Sequence, residues 1–221
     1  MKKIGQKIFY SPLMKIIIGL IVCGGVVVLG EILISKLLDL LGINQMKYLI
    51  IGILAILAII SYSVLYKIYE KRKITEFSLS GIGKNLIVGV IIGTALQSLI
   101  ILVIYLKGGY TVVSINPILF IIPSLTISFT VAIYEEILFR GIIFRIIEEK
   151  LGSYLALFIS AFIFGALHLF NPNSSLIVCI GLAIQAGLLL AVAYMYSRNL
   201  WFPIAIHFAW NFTQEIGRAH V

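Results

Sequence analysis

The second half of the sequence places a few ionisable and amide side chains among otherwise apolar residues. They are Glu135, Glu136, Arg140, His168, His207 and Asn211. An ionisable group at membrane depth costs about 2.5–3.5 kcal/mol on insertion scales, so such groups are functional candidates by default. A carboxylate and an imidazole that share a water can act as a general base, which is the chemistry of hydrolysis. These residues are therefore the candidates for a catalytic site.

The composition of the chain determines which solvent surrounds these groups. Of the 221 residues, 61% are hydrophobic and only 12% are charged. A soluble domain carries about 25% charged residues. This chain therefore lacks the polar groups to cover a water-facing surface. Its solvent must be lipid, and we expect a protein of the cell membrane.

Continuous apolar stretches long enough to cross a bilayer recur along the sequence. A helix needs about 20 residues to cross the ~30 Å hydrocarbon core, and lipid-exposed backbone must satisfy its own hydrogen bonds. The sequence predicts seven helical spans, at 13–41, 48–68, 85–106, 117–149, 153–170, 175–197 and 199–215. The predicted fold class is all-α, a polytopic transmembrane helical bundle.

The net charge of +8 has an explanation that does not involve nucleic acid. When the Lys and Arg residues are grouped by loop, thirteen lie at the N-terminus and in the loops of the same side, and three lie on the other side. Cytoplasmic loops of membrane proteins carry such an excess of positive residues. We therefore expect a multi-pass protein with a cytoplasmic N-terminus, whose partner is the lipid bilayer.

Three segments differ in character along the chain. Residues 1–115 hold the N-terminal transmembrane helices and one long polar loop, and residues 116–215 hold the candidate catalytic groups. The last six residues, 216–221, have neither an apolar pattern nor a helix cap, and one reading frame of a common sequencing adapter would encode them. We expect a non-native tail there, and we assign no chemistry to His220.

The fourth and fifth predicted helices form an antiparallel hairpin that turns near residues 151–153. Glu135 and His168 each lie about 16 residues from this turn, which is ~24 Å of helix. The two side chains are therefore expected at the same depth. At one depth they can share a water in a general-base arrangement.

The adjacent glutamates are expected to have different roles. Glu135 and Glu136 point about 100° apart around their helix, so they should not both point into one site. Glu136 and Arg140 are four residues apart with the acid first, which is the favourable order for an ion pair. We therefore assign Glu136 and Arg140 as a supporting pair and Glu135 as the reactive carboxylate.

Two further observations concern the other candidate helices. His207 and Asn211 are four residues apart, so they project from the same face of the seventh helix. The predicted fifth helix ends near Asn171, close after His168. Irregular backbone is tolerated at membrane depth only beside protein or a wet cavity. We expect such a cavity next to the break at 171–175.

Each of these features alone also has an ordinary structural explanation. A Glu–Arg pair is often only an ion pair, and a histidine in a membrane helix often forms an interhelical hydrogen bond. The pair His207 and Asn211 can serve the same packing purpose. The combination favours a site, because three otherwise apolar helices each place such groups at membrane depth.

These residues resemble the three motifs of the CAAX-protease and bacteriocin-processing (CPBP) family. This family includes type II CAAX prenyl endopeptidases and the Abi and lysostaphin-resistance-like bacterial proteins. The motif of two glutamates, three residues and an arginine matches Glu135, Glu136 and Arg140. The phenylalanine–histidine motif matches Phe164 and His168, and the histidine–asparagine motif matches His207 and Asn211.

The resemblance covers roughly residues 117–215 and implies proteolysis within the membrane. The expected substrate is a membrane-associated protein or peptide, of the prenylated CAAX type or related to a bacteriocin. The resemblance implies a water held by Glu135 and His168, with His207 and Asn211 stabilising the oxyanion. Family members usually have a further helix after the third motif, so we expect that truncation has removed an eighth helix.

The resemblance leaves the use of a metal open. One carboxylate and two histidines, Glu135, His168 and His207, could form a catalytic zinc site with three protein ligands. Alternatively, Glu135 and His168 activate water directly, and His207 and Asn211 donate to the tetrahedral intermediate. We favour the mechanism without a cofactor, because an asparagine amide suits an oxyanion hole better than a zinc site.

Two other functions fit parts of the pattern. A non-catalytic membrane protein, such as a bacteriocin-immunity factor that acts by binding alone, would tolerate loss of Glu135. A small transporter could use Glu135 and His168 as a proton relay. Such transporters show inverted repeats and paired broken helices, and the sequence has neither. An intramembrane endopeptidase is the favoured interpretation.

Overall fold

A computed structural model describes residues 9–42, 47–112, 117–172 and 174–217. Within these ranges the chain forms seven helices and no strands, which confirms the all-α prediction. The helices are α1 (Pro12–Leu41), α2 (Lys47–Tyr69), α3 (Ile82–Leu106), α4 (Ile121–Leu151), α5 (Ser153–Phe170), α6 (Leu176–Ser197) and α7 (Trp201–Ile216). The predicted non-native tail falls mostly outside these ranges, because residues 218–221, with His220, are not among those described.

Six of the seven helices, α1 to α6, are long and apolar enough to cross a membrane. The chain is thus a multi-pass membrane protein. The seventh predicted span is shorter than the others. With 16 residues, α7 rises about 24 Å, which is less than the ~30 Å of the hydrocarbon core.

The hairpin of α4 and α5 turns where the sequence predicts. Gly152 has a φ of +81°, a conformation that is strained for a residue with a Cβ. The turn allows α5 to run back antiparallel along α4. This geometry carries Glu135 and His168 to the same part of the bundle.

Three helices contain a stretch of π-helix. These stretches are Leu20–Gly24 in α1, Ile137–Phe144 in α4 and Ala183–Leu188 in α6. A π-turn inserts an extra residue into a helical turn and is frequent at functional sites. The stretch in α4 begins directly after Glu136, and that in α6 lies opposite it in the bundle.

A close contact between α3 and α7 determines the position of the last helix. Gly89 and Gly93 of α3 are four residues apart and face α7. A Cβ at either position would collide with atoms of Ala205 or Ile206. Small residues at this spacing allow the backbones of membrane helices to approach closely. The contact holds α7, and therefore His207, against the bundle.

The polar connection between α2 and α3 packs against one end of the bundle. Glu76 is buried there, and its carbonyl accepts a hydrogen bond from the backbone of Leu200 at 2.8 Å. The side-chain amide of Asn199 donates to the carbonyl of Ser78 at 2.7 Å. The connection is therefore fixed to the turn between α6 and α7.

Candidate active site

A cavity of about 260 Å³ lies between α4, α5, α6 and α7. Its polar wall residues are Glu135, His168, Asn171, His207, Asn211 and Gln214. One water needs about 10–15 Å³ in this measure, so the cavity has room for water and part of a substrate. The cavity borders the end of α5 at Asn171, where the sequence predicts one.

Glu136 lies behind the cavity wall and is fully buried. Its Oε1 accepts a hydrogen bond from Nη1 of Arg140 at 2.7 Å and another from Nδ1 of His207 at 2.9 Å. The ion pair with Arg140 is therefore present, as the spacing predicts. A bond from Glu136 to His207 is an additional contact, and it joins α4 to α7.

Arg140 is also fully buried, and its guanidinium faces three helices. Besides Glu136, it contacts α6, where Nη2 donates to the carbonyls of Gly187 at 3.0 Å and Ala186 at 3.3 Å. Its charge lies 5.0 Å from the ring centroid of Phe164 in α5. A buried charge is tolerated only when it is paired and hydrogen-bonded, and Arg140 has both kinds of partner.

His207 lies between the two glutamates. Glu136 can only accept from Nδ1, so Nδ1 carries a hydrogen and Nε2 points toward the other carboxylate. Nε2 is 3.9 Å from Oε2 of Glu135, which is too far for a direct hydrogen bond. Both glutamates therefore approach His207, from different directions, but only Glu135 lines the cavity. The two carboxylates do not both point into the cavity.

His168 is oriented by its own helix. Its Nδ1 lies 2.7 Å from the carbonyl of Phe164. Because a carbonyl can only accept, Nδ1 must donate, and in the neutral ring the free lone pair belongs to Nε2. The ring of Phe164 packs at 4.7 Å from the imidazole. Phe164 thus supports both His168 and Arg140.

Glu135 is the carboxylate of the cavity wall, with a side chain that is 22% exposed. Its Oε2 is buried and accepts no hydrogen bond from the part of the chain that the structure describes. The exposed part of the side chain faces the cavity, and Oε2 lies on its buried side, toward His207. The two adjacent glutamates thus occupy different environments, one facing the cavity and one buried behind it.

The cavity continues toward the end of the bundle where α4 begins and α7 ends. A second cavity of about 250 Å³ shares Val131, Asn211 and Gln214 with the first and reaches Ile127 and Ser128 of α4. The opposite end of the bundle carries the connection between α2 and α3. The candidate site therefore opens away from that connection.

Two of the six polar wall residues, Asn171 and Gln214, were not among the predicted candidates. Gln214 follows His207 and Asn211 at the spacing that continues one face of a helix, so this spacing could have identified it. Asn171 lies just beyond the helical part of α5, and no helical spacing predicts where a side chain in such a turn points. The contact between Glu136 and His207 joins distant parts of the sequence and leaves no local signal.

The three proposed zinc ligands do not form a metal site in this structure. Among the described residues, no three His, Cys, Asp or Glu side chains converge in a geometry that could hold a metal ion. Of the set, Nε2 of His207 approaches Oε2 of Glu135, at 3.9 Å. We therefore derive no catalytic step through a metal and describe the chemistry of the side chains themselves.

Comparison with known proteins identifies one family. Residues 117–213 match the family described as Rce1-like: Type II CAAX prenyl endopeptidase Rce1-like. No curated protein and no solved structure gives a significant match. The matched range contains all the candidate residues of the cavity wall except Gln214.

The buried position of Glu136 makes a prediction about stability. Glu136→Gln keeps the size of the side chain but leaves Arg140 without its counter-charge, and breaking a buried pair costs about 3–5 kcal/mol. Glu149→Gln is the control, because Glu149 pairs with Arg145 at 2.7 Å but is 45% exposed. Exposed pairs contribute about 0–1 kcal/mol. Unfolding of both variants in detergent measures the difference, and equal losses of stability would contradict the assignment.

Proposed function

Because residues 117–213 form a domain of the Rce1-like family of type II CAAX prenyl endopeptidases, we propose that this chain hydrolyses a peptide bond within the membrane. The family implies an intramembrane protease that acts on a protein substrate. The observation that carries the proposal is the cavity whose wall contains Glu135, His168, His207 and Asn211. We propose a membrane-anchored protein or peptide as the substrate.

In the proposed mechanism, Glu135 and His168 hold the attacking water. The carboxylate of Glu135 accepts one hydrogen of the water, and Nε2 of His168 accepts the other. Glu135 removes a proton as the water oxygen attacks the carbonyl carbon, and it later returns this proton to the leaving amine. Their presence in the wall of one cavity supports this role, since a general base must be within hydrogen-bond reach of its water.

His207 and Asn211 are proposed to stabilise the oxyanion of the tetrahedral intermediate. The side-chain amide of Asn211 always carries N–H donors. Nε2 of His207 points into the same region as the cavity face of Glu135 and donates to the oxyanion when it carries a hydrogen.

We further propose that the end of the bundle with the connection between α2 and α3 is cytoplasmic. The charge distribution favours this orientation, with thirteen positive residues on that side and three on the other. The N-terminus is then cytoplasmic. The two adjacent cavities then lie toward the opposite side of the membrane.

Cysteine labelling tests the orientation with two matched positions. Gly81 and Gly108 both lie in turns, have positive φ and have open space around the position of a Cβ. A reagent that does not cross the membrane should label Gly108→Cys in intact cells and should label Gly81→Cys only after lysis. The reverse pattern would contradict the proposed orientation.

Removal of the proposed base group tests the proposed function directly. Glu135→Gln and His168→Ala should each slow cleavage by about 10²–10⁴-fold. Membrane insertion should not change. The assay uses the full chain in liposomes with a panel of prenylated and unprenylated membrane-anchored peptides, read by mass spectrometry. Glu31→Gln is the control, because Glu31 is an exposed carboxylate of α1. Near-normal cleavage by both variants would exclude the catalytic assignment of Glu135 and His168. Absence of cleavage by the wild type would instead favour a protein that acts by binding alone.

A second kinetic experiment separates direct activation of water from zinc catalysis. If Asn211 acts only in the transition state, Asn211→Ala should lower kcat about 10²–10³-fold and leave KM nearly unchanged. Chelators should have little effect on the wild type. Stoichiometric zinc in the purified protein, lost together with activity on chelation and restored together with it, would overturn the mechanism without a metal.

A further inference from the structure

The π-helical stretch of α4 leaves one backbone carbonyl, that of Gly141, without its regular α-helical donor, and side chains donate to it instead. In a regular α-helix the N–H of Arg145 would donate to the carbonyl of Gly141. Here it donates to the carbonyls of Arg140 and Ile142 instead. The carbonyl of Gly141 accepts from Nε of Arg145 at 2.9 Å and from the hydroxyl of Tyr62 at 3.1 Å. Two buried side chains therefore replace the displaced backbone donor.

Both donors belong to a buried ionic network at the end of the bundle. Nη1 of Arg145 is 2.9 Å from Glu70, and Glu70 also pairs with Lys15 at 2.9 Å and with Arg72 at 2.8 Å. Although burial alone would raise the pKa of Glu70, the hydrogen bond from Lys15 and the charge of Arg145 hold this pKa below its usual value. Glu70 therefore stays ionised and keeps Arg145 in place.

The hydroxyl of Tyr62 connects the same ionic network to α4. It accepts from Nη2 of Arg72 at 3.0 Å, and its single hydrogen lies between two acceptors at 3.1 Å, Glu76 and the carbonyl of Gly141. Tyr62 is fully buried, and its ring packs over Gly141 at a distance that leaves little space for a Cβ. The connection between α2 and α3 is thus linked to α4 through one carbonyl.

The stretch of π-helix determines how the two halves of α4 are rotated relative to each other. Upstream, Glu136 is fixed by His207, and downstream, Arg145 is fixed by Glu70. One residue corresponds to about 100° of helix rotation. If the π-turn relaxed to a regular helix, the two halves would rotate by about this angle, and either Glu136 or Arg145 would lose its partner.

We propose that Tyr62 and Arg145 are positioning residues that hold this π-turn and thereby orient Glu136 and His207 at the site. The inference rests on the proposed function for its kinetic consequence only. Its structural content, an energetic coupling between Tyr62 and Glu136, is independent of any activity. Neither residue lines the cavity, so their effect reaches the site through the helix.

Tyr62→Phe and Tyr66→Phe form a matched pair that tests the proposal. Both tyrosines are fully buried in α2, one turn apart, and both lose only a hydroxyl. The hydroxyl of Tyr66 donates to the carbonyl of Lys15 at 3.0 Å, not to α4. The ring of Tyr66 lies 4.7 Å from the guanidinium of Arg145, and Tyr66→Phe keeps this ring contact. Tyr62→Phe should lower kcat on the order of 10–100-fold with little change in KM, which is the effect of small misplacements. Tyr66→Phe should leave kcat unchanged at a similar melting temperature. Equal kcat values for the two variants would overturn the proposal.

A second measurement keeps the proposal testable if no peptide is cleaved. Each tyrosine variant is combined with Glu136→Gln, and the melting temperatures of the single and double variants are compared in detergent. Residues that share one network give non-additive effects, and independent sites add. The shifts for Tyr62 and Glu136 should be non-additive, and those for Tyr66 and Glu136 should add. Additivity in both pairs would overturn the coupling, whereas non-additivity without cleavage by the wild type would contradict only the proposed function.

Discussion

A single buried carboxylate, that of Glu136, holds the candidate site together. It accepts hydrogen bonds from Arg140 of its own helix and from His207 of α7. Arg140 extends the contact to the carbonyls of α6 and to the ring of Phe164 in α5. Charges without partners are expensive away from water, so these groups stabilise the fold only when all four helices are in place. The contacts that pair the buried charges of Glu136 and Arg140 therefore also fix the positions of the four helices that form the cavity.

The same constraint explains why two adjacent glutamates have different surroundings. Glu136 is fully buried and binds Arg140 and His207, whereas the side chain of Glu135 lines the cavity. His207 receives its orientation from Glu136 at Nδ1 and presents Nε2 toward Glu135. A side chain that must act in the transition state needs such support from a second layer of contacts. The stretch of π-helix that sets the rotation of α4 begins directly after Glu136.

Local patterns in the sequence were sufficient to predict the helices and some of the residues that line the cavity. Apolar length predicted the seven helices. The spacing from the turn near residues 151–153 predicted one depth for Glu135 and His168, and both line the same cavity. The bond between Glu136 and His207 was not predictable, because it joins residues that are 71 positions apart through tertiary packing. The π-turn of α4 also escaped prediction, since the contacts within it and directly before it, from Tyr62 of α2 and from His207 of α7, join distant parts of the sequence. The glycines at 89 and 93 were a readable signal for the approach of α3 to α7.

Selective ¹⁵N labelling of histidine measures the central contact directly. The chain has three histidines, and the signals of His207 are assigned by their loss in His207→Gln. NMR of the protein in liposomes reports which ring nitrogens carry hydrogen. We expect Nδ1 of His207 to carry a hydrogen whether or not Nε2 does, because Glu136 accepts this hydrogen, and we expect Glu136→Gln to shift its signal. A neutral His207 protonated at Nε2 alone would contradict this contact, because Glu136 would then not be the group that orients the histidine.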